Sequence, residues 1–397
     1  NFLLDNDAAA NTTDRISDTA TFTLNSAAGT FSGQTIVRGL ANRNNDNDDA
    51  VETIGLTTFN SGASYLSLEA SGGTSAQARI ISAGWARNNA ATVNVRGRNL
   101  GGTSAERTQF KVADANDAAM IAANVGGGGV IGGTAKNVSI IPWAIGETLT
   151  GGLADGNMGN TFLSYVDNRG FVALNLANEF STFGSAALGH NVRESLGVDL
   201  TGIAGTSINS LILDNTAIAG LDVTGSGAGQ TLAVTSGAMM FTVTGGVAST
   251  AYDTTLGGFD SGITVGGTNE YLFYVVNPSS AATTSTLTAT IASPLTSAAD
   301  ITKSGRGTLV LTGVNTAGGG ARRITINEGT LEIVDLDNIG GNTGSLVFAG
   351  GTLRLGTGFA DDISTRTINF LEGGGTIDTQ GANYTLANSV GSGVGGL

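Results

Sequence analysis

Cysteine is absent from the 397 residues. That removes disulfides, thiolate nucleophiles and cysteine-based metal sites together. Histidine occurs once and proline three times, and charged residues make up 13% of the chain, about half the usual share. Aromatics are 6%. No apolar run reaches the roughly 18–20 residues that a membrane-spanning helix needs. The chain opens on Asn1-Phe2-Leu3-Leu4-Asp5, which lacks the basic start and apolar run of a signal peptide. The expectation is therefore a processed chain, or one cut from a longer polypeptide.

What is present is glycine, 62 residues of it, with an apolar content of 40% and a formal net charge of −14. That apolar content excludes an ordinary disordered chain, and the absence of a strict Gly-X-Y period excludes collagen. Many short strands joined by Gly, Asn, Ser and Thr turns remain. An acidic chain repels phosphate backbones, so the charge argues against nucleic acid and anionic membranes as partners.

A repeat sets the expected fold. Gly307-Thr308-Leu309 recurs as Gly329-Thr330-Leu331, Gly351-Thr352-Leu353 and Gly375-Thr376-Ile377, at steps of 22, 22 and 24 residues. Thr242-Val243, Thr264-Val265 and Thr286-Leu287 extend the 22-residue step upstream. Side chains on a strand alternate faces. Leu309, Leu331, Leu353 and Ile377 then form one inward column, and Leu311, Ile333, Leu355 and Thr379 a second. Val310, Glu332, Arg354 and Asp378 face outward, and the three charges alternate in sign, which in-register stacking tolerates. The expected fold is all-β, a parallel β-helix (β-solenoid) with coils of about 22 residues in the C-terminal half. Extended over the whole chain, that period gives about 18 coils and a rod of roughly 85–90 Å.

Before about residue 200 the period fades. Strand-like runs persist at 20–24, 35–37, 65–68, 92–95, 138–141 and 161–166, and residues 104–125 and 171–187 could be helical excursions. Residues 1–200 read as an irregular β-helix with insertions or as a separate β-rich head, and 201–397 as the regular part. A seam is expected near 197–209.

One stretch resembles a known family. Ile301-Thr302-Lys303-Ser304-Gly305-Arg306-Gly307-Thr308-Leu309-Val310-Leu311-Thr312-Gly313-Val314-Asn315-Thr316, followed by Ile324-Thr325-Ile326-Asn327-Glu328-Gly329-Thr330-Leu331, is similar to the autotransporter-associated β-strand repeat. Gly373-Gly374-Gly375-Thr376-Ile377-Asp378-Thr379 resembles it too. Ile301 stands where the family pattern has leucine, and its aromatic near the turn is missing after Thr316. The specific match covers roughly residues 300–397. The resemblance implies export to the bacterial cell surface or medium and a passenger-type β-helix, with no ligand specified; an absence of cysteine fits that route. In the family a segment such as Gly391-Ser392-Gly393-Val394-Gly395-Gly396-Leu397 leads into a further repeat. The expected partners are further repeats of a longer chain, or copies of this one stacked head to tail into a filament.

The residues offer little catalytic chemistry. His190 has no Gly-x-Ser-x-Gly elbow to support a triad. Asp361-Asp362 and the pair Asp335 and Asp337 are the best carboxylates for carbohydrate cleavage, but all read as loop residues. Gly126-Gly127-Gly128-Gly129 lacks the Lys-Ser/Thr of a phosphate loop. Asp46, Asp48, Asp49 and Glu52 supply hard oxygen ligands of the kind Ca²⁺ takes, without a complete EF-hand pattern; a solvated acidic loop is the plainer reading. No other cofactor is expected. Trp85, Trp143, Tyr65 and Tyr165 could stack on sugar rings, or fill the ends of a core. The sequence thus points to a non-enzymatic structural protein of the cell surface or extracellular space, a rod or fibre subunit. An adhesin binding cell-surface glycans is the rival, and a carbohydrate-active enzyme the third option.

Overall fold

The computed structural model describes residues 2–5, 16–25, 34–40, 49–71, 77–149, 159–216, 220–244, 251–266, 270–276, 285–315 and 322–391. These form an all-β protein dominated by long parallel sheets. In the second half the chain alternates between two eight-stranded sheets, adding one strand to each per circuit. Sheet III holds Asn191–Leu196, Ser210–Asn215, Ala238–Thr242, Glu270–Val275, Asp300–Ser304, Arg323–Ile326, Ser345–Phe348 and Thr367–Phe370. Sheet IV holds Leu200–Ile203, Leu221–Gly227, Ala251–Phe259, Thr286–Ile291, Thr308–Leu311, Thr330–Ile333, Thr352–Leu355 and Thr376–Asp378. A small sheet V, of Thr206–Ile208, Leu232–Val234 and Ile263–Val265, makes a third side over the early circuits.

The first half is built the same way. Sheet I contains Phe22–Asn25, Asp49–Ser61, Gln77–Arg87 and Arg107–Val112. Sheet II contains Phe2–Asp5, Gln34–Leu40, Ala63–Ser71, Thr92–Arg98 and Ala144–Leu149, all parallel, then Thr161–Val166 and Gly170–Ala173, which pair antiparallel. Five of the six strand-like runs expected here fall on sheets I and II. The sixth forms the antiparallel ribbon Val138–Ile140 with Val125–Gly128. The expected helical excursions shrink to one short helix, Asp117–Ile121, and 3₁₀ turns at Asp114–Asn116 and Phe183–Ser185. Phe171 instead lies in a strand, where its ring joins an aromatic core.

The two stacks lie side by side. Sheets I and II enclose one core, sheets III and IV another, and the outer faces of II and III enclose a third. Strand Glu270–Val275 shows how the sequence encodes this. Tyr271, Phe273 and Val275 enter the core between III and IV, whereas Leu272 and Tyr274 enter the one between II and III. A strand buried on both faces reads as a continuous apolar run instead of an alternating one.

This arrangement corrects two expectations. The chain is not one rod of 18 coils, because Tyr65, Arg87 and Pro142 of the first stack touch Glu328, Glu270 and Tyr274 of the second. Nor does the 22-residue step run upstream. Thr242, Thr264 and Thr286 lie in three different sheets, III, V and IV. In sheet III, Met239 pairs with Phe273 and Phe273 with Lys303, steps of 34 and 30 residues. Longer connections between strands lengthen those circuits. The 22-residue step is real from Thr308 through Thr330 to Thr352 in sheet IV, and from Ile326 through Phe348 to Phe370 in sheet III.

Candidate functional site

The repeat places its residues in register. Leu309 pairs with Leu331, Leu331 with Leu353 and Leu353 with Ile377. Leu311, Ile333 and Leu355 run alongside. The six leucines and isoleucines from 309 to 355 are at most 2% exposed, and Ile377 packs half-buried against the same core. Thr379 lies just beyond the last strand, which stops at Asp378. On the outside, Arg354 sits between Glu332 and Asp378, at 3.4 and 2.9 Å. The carboxyl of Asp378 is held below its usual range by the Gln380 amide and then by Arg354.

The Thr-Lys-x-Gly-x-Gly-Thr-Leu stretch has a physical logic. Lys303 pairs with Phe273 and Ile326, both core residues, and so points inward. It is fully buried, and its Nζ donates to the carbonyls of Ser304 (2.9 Å), Gly305 (2.5 Å) and Glu328 (3.1 Å). It gathers the carbonyls of two successive corners. Burial pushes its pKa down to about 7, with Glu328 acting in the opposite sense. Gly305 and Gly329 adopt φ of +75° and +67°, and a Cβ on either would meet backbone oxygen at 2.5 or 2.4 Å. Only glycine fits there.

Thr302, one residue earlier, points the other way, into the seam between the stacks. Its hydroxyl donates to Glu270 at 2.5 Å. Glu270 receives Arg87 from the first stack through two bonds, of 2.8 and 3.0 Å, and Arg87 Nε donates to the Ala91 carbonyl at 2.7 Å. Such a fork fixes geometry as well as charge. Further along, the Tyr65 hydroxyl donates to both oxygens of Glu328 at 2.7 Å, and Arg306 pairs with Glu328 at 3.2 Å and covers the Tyr65 ring. The Asn327 amide donates to Ala90 O at 2.8 Å, Thr92 and Ser304 share a hydroxyl bond of 2.8 Å, and Tyr274 donates to Pro142 O at 3.0 Å. Burial raises the pKa of both Tyr65 and Tyr274.

Glu147, on the same face of sheet II, is raised to about 7 by burial, which Arg96 only partly offsets. Its ordinary value is 4.5, so the folded state binds this proton more tightly than the unfolded chain. Its contribution to stability is whole below pH 4.5 and is lost as pH rises through about 7. The full loss is about 3 kcal/mol. Denaturation midpoints of the parent and of Glu147→Gln should therefore diverge between pH 4.5 and 7. Equal slopes for the two proteins would refute the assignment. Lys303 acts in a separate window: with its pKa lowered, it adds stability only as pH rises from about 7 towards its ordinary value.

The residues singled out for chemistry are dispersed. Asp46 and Asp48 lie outside the described residues. Asp49 begins a strand, and Glu52, buried in that strand, accepts from the Ile16 amide at 3.2 Å. Among the described residues, no group of three or more His, Cys, Asp or Glu side chains is arranged to hold a metal ion. Asp335 accepts from Asp337 N at 2.7 Å, Asp361 from Leu336 N at 2.8 Å, and Asp362 from Ser364 and Ala387. These carboxylates tie turns together. Asp362 has a lowered pKa because of the Ser364 and Ala387 bonds, the wrong direction for a general acid. His190 Nδ1 accepts from Ala187 N in a tight turn. The four-glycine run is partly strand, in the ribbon beside Asn137.

The aromatics form core. Trp85 stacks between Phe110 and Phe171, at 4.7 and 4.5 Å, with Tyr165 edge-on. Trp143 packs on Phe59, and Tyr65 belongs to the seam. They present no shared sugar-stacking platform.

No family model, curated protein or solved structure matches this chain. The site therefore stands on its own geometry: two strand stacks with register-locked interiors, joined by a seam of mixed apolar and charged contacts.

Proposed function

We propose that both stacks are parallel β-helices, and that the protein is a structural module of the extracellular space or bacterial cell surface. The observation that carries this reading is the register of sheets III and IV. Aliphatic side chains stack on their own counterparts through successive circuits, and every strand but the outermost has partners on both sides. Such stacks gain stability from each neighbour interface and are quasi-one-dimensional. The resemblance of residues 301–331 to the autotransporter-associated repeat supports the same reading and supplies the export route. The stretch around Lys303 is then a corner device: an inward lysine binding carbonyls, flanked by glycines that let backbones meet.

The dimensions test it. Eight circuits at ~4.8 Å give a stack of about 38 Å, with a second stack alongside. Electron microscopy or small-angle scattering of the purified chain should show a squat particle with one short axis near that length. A slender rod of roughly 85–90 Å, the length of about 18 coils in single file, would overturn the side-by-side arrangement. Rapid proteolysis throughout sheets III and IV under native conditions would overturn the structural reading itself.

A further inference from the structure

The turn of the antiparallel hairpin in sheet II is held by side chains. Its strands, Thr161–Val166 and Gly170–Ala173, pair with each other, and the first meets Ala144–Leu149 only at Thr161 and Phe162. From Tyr165 onward the hold passes to residues 107–124. The Asn124 side chain accepts from Tyr165 N at 3.0 Å and donates to the Tyr165 carbonyl at 2.8 Å. The Tyr165 hydroxyl accepts from Val112 N at 2.8 Å and donates to Asp117 Oδ1 at 2.6 Å. Asp117 Oδ2 accepts from Asn168 N, in the turn itself, at 3.0 Å.

Asp117 is only 2% exposed, and a buried carboxylate is costly without a counter-charge. The neighbouring cations are engaged elsewhere. Lys111 Nζ donates to Asp114, and Arg169 Nε to the Gly101 carbonyl at 2.6 Å. What approaches Asp117 instead is a second carboxyl, that of the exposed Asp167, within hydrogen-bonding reach. Two ionised carboxylates in contact repel each other. One proton between them turns the contact into a strong, charge-assisted O–H···O bond.

We infer that Asp117 and Asp167 share a proton, and that this proton latches the turn 166–170 onto residues 112–121 in acid and frees it as pH rises. The proton comes from solvent and returns to it. The charged and titratable groups around the pair are Asp114 and Lys111, which hold each other, Arg169, and the Tyr165 phenol. Tyr165 keeps its proton throughout, because burial and then its bond to Asp117 raise its pKa. The Asp167 carboxyl is raised above its ordinary 3.8. The bond to Asp117 is the main cause, followed by loss of solvent and the charges of Asp117 and Asp114, while the Asn168 amide pulls the other way. A group held above its ordinary value contributes fully below that value and stops contributing as pH climbs through the raised one. The latch is therefore complete below 3.8 and released on the alkaline side of the raised value. It does not depend on the structural role proposed above.

The test is amide hydrogen exchange of the chain of residues 1–397 from about pH 4 to about pH 8, corrected for the intrinsic pH dependence of exchange. Protection of 165–171 and 112–121 should fall as pH rises, by up to about tenfold per pH unit, and then level off. Protection of 330–333 and 352–355 should show no such step. Asp167→Asn presents a neutral donor to Asp117 at every pH, so its turn should stay protected across the range. Asp167→Ala presents none, and its turn should exchange at every pH as the parent's does at the alkaline end. Flat protection of the turn in the parent would overturn the inference. So would a fall with pH that persists unchanged in Asp167→Asn and Asp167→Ala, because the titrating group would then lie elsewhere.

Discussion

Leu331→Asp is expected to cost about 5 kcal/mol or more and to abolish cooperative melting of sheets III and IV. Leu331 is fully buried between Leu309 and Leu353 in one interior column. A carboxylate there has no cation to pair with in a column of leucines, and an unpaired charge in such a place is costly. Removing the side chain alone, as in Leu331→Ala, should cost about 2–5 kcal/mol by lost burial and the cavity left behind. Circuits in a stack support only their neighbours, so a break at this circuit severs the last two from the rest. Glu332→Gln is the comparison, one residue away on the outward face. It loses half of an exposed ion ladder and should change stability by no more than about 0.5 kcal/mol. Urea unfolding followed by circular dichroism would read all three. Equal stability of Leu331→Asp and Glu332→Gln would reverse the assignment of faces.

That assignment was legible in the sequence because period two and period 22 reinforce one another from Gly307 onward. Charged residues at Glu332, Arg354 and Asp378 mark the outward column, and leucines on either side mark the inward ones. Upstream the same reasoning misled. Thr and aliphatic residues abound, and a fixed step found Thr242, Thr264 and Thr286 in three different sheets. Connections of variable length carry no register, and the pairing of Met239 with Phe273 and Lys303 emerges only in three dimensions.

The seam was the feature least visible. Glu270-Tyr271-Leu272-Phe273-Tyr274-Val275 has the composition of a strand buried on both faces. That continuous apolar run was the available signal that something covers the outer side of sheet III. Nothing in a one-dimensional reading says that the cover is residues 63–147 of the same chain, because Tyr65 and Glu328 stand 263 positions apart. Lys303 was legible as a motif residue but not as a buried one. Its inward direction follows from its pairing with Phe273 and Ile326. The acidic run of Asp46, Asp48, Asp49 and Glu52 pointed to hard-oxygen ligands, yet Glu52, within a strand, is committed to the Ile16 amide.

Breaking the charged clasp of that seam should be the second large effect. Arg87→Ala is expected to destabilise the protein by about 3 kcal/mol. The Glu270 side chain is only 10% exposed and that of Arg87 22%, so the mutation takes from a largely buried carboxylate the guanidinium that binds both its oxygens. Removing one partner of a buried pair costs far more than the pair itself contributes. Replacing both, as in Arg87→Met/Glu270→Met, should therefore recover most of the loss, and the double-mutant cycle should show a coupling above about 1 kcal/mol. Arg87 also holds the Ala91 carbonyl and covers Trp143 at 5.9 Å, so a fraction of its loss is packing that methionine restores only in part. Hydrogen exchange separates this from general destabilisation. In Arg87→Ala, amides of 90–95 and 270–276 should lose protection, while those of 330–333 and 352–355 stay as in the parent. If every segment loosened alike, the two stacks would be one cooperative unit and the seam no weaker than the interiors it joins. If the clasp region alone opens, the seam is the line along which the paired stacks first part.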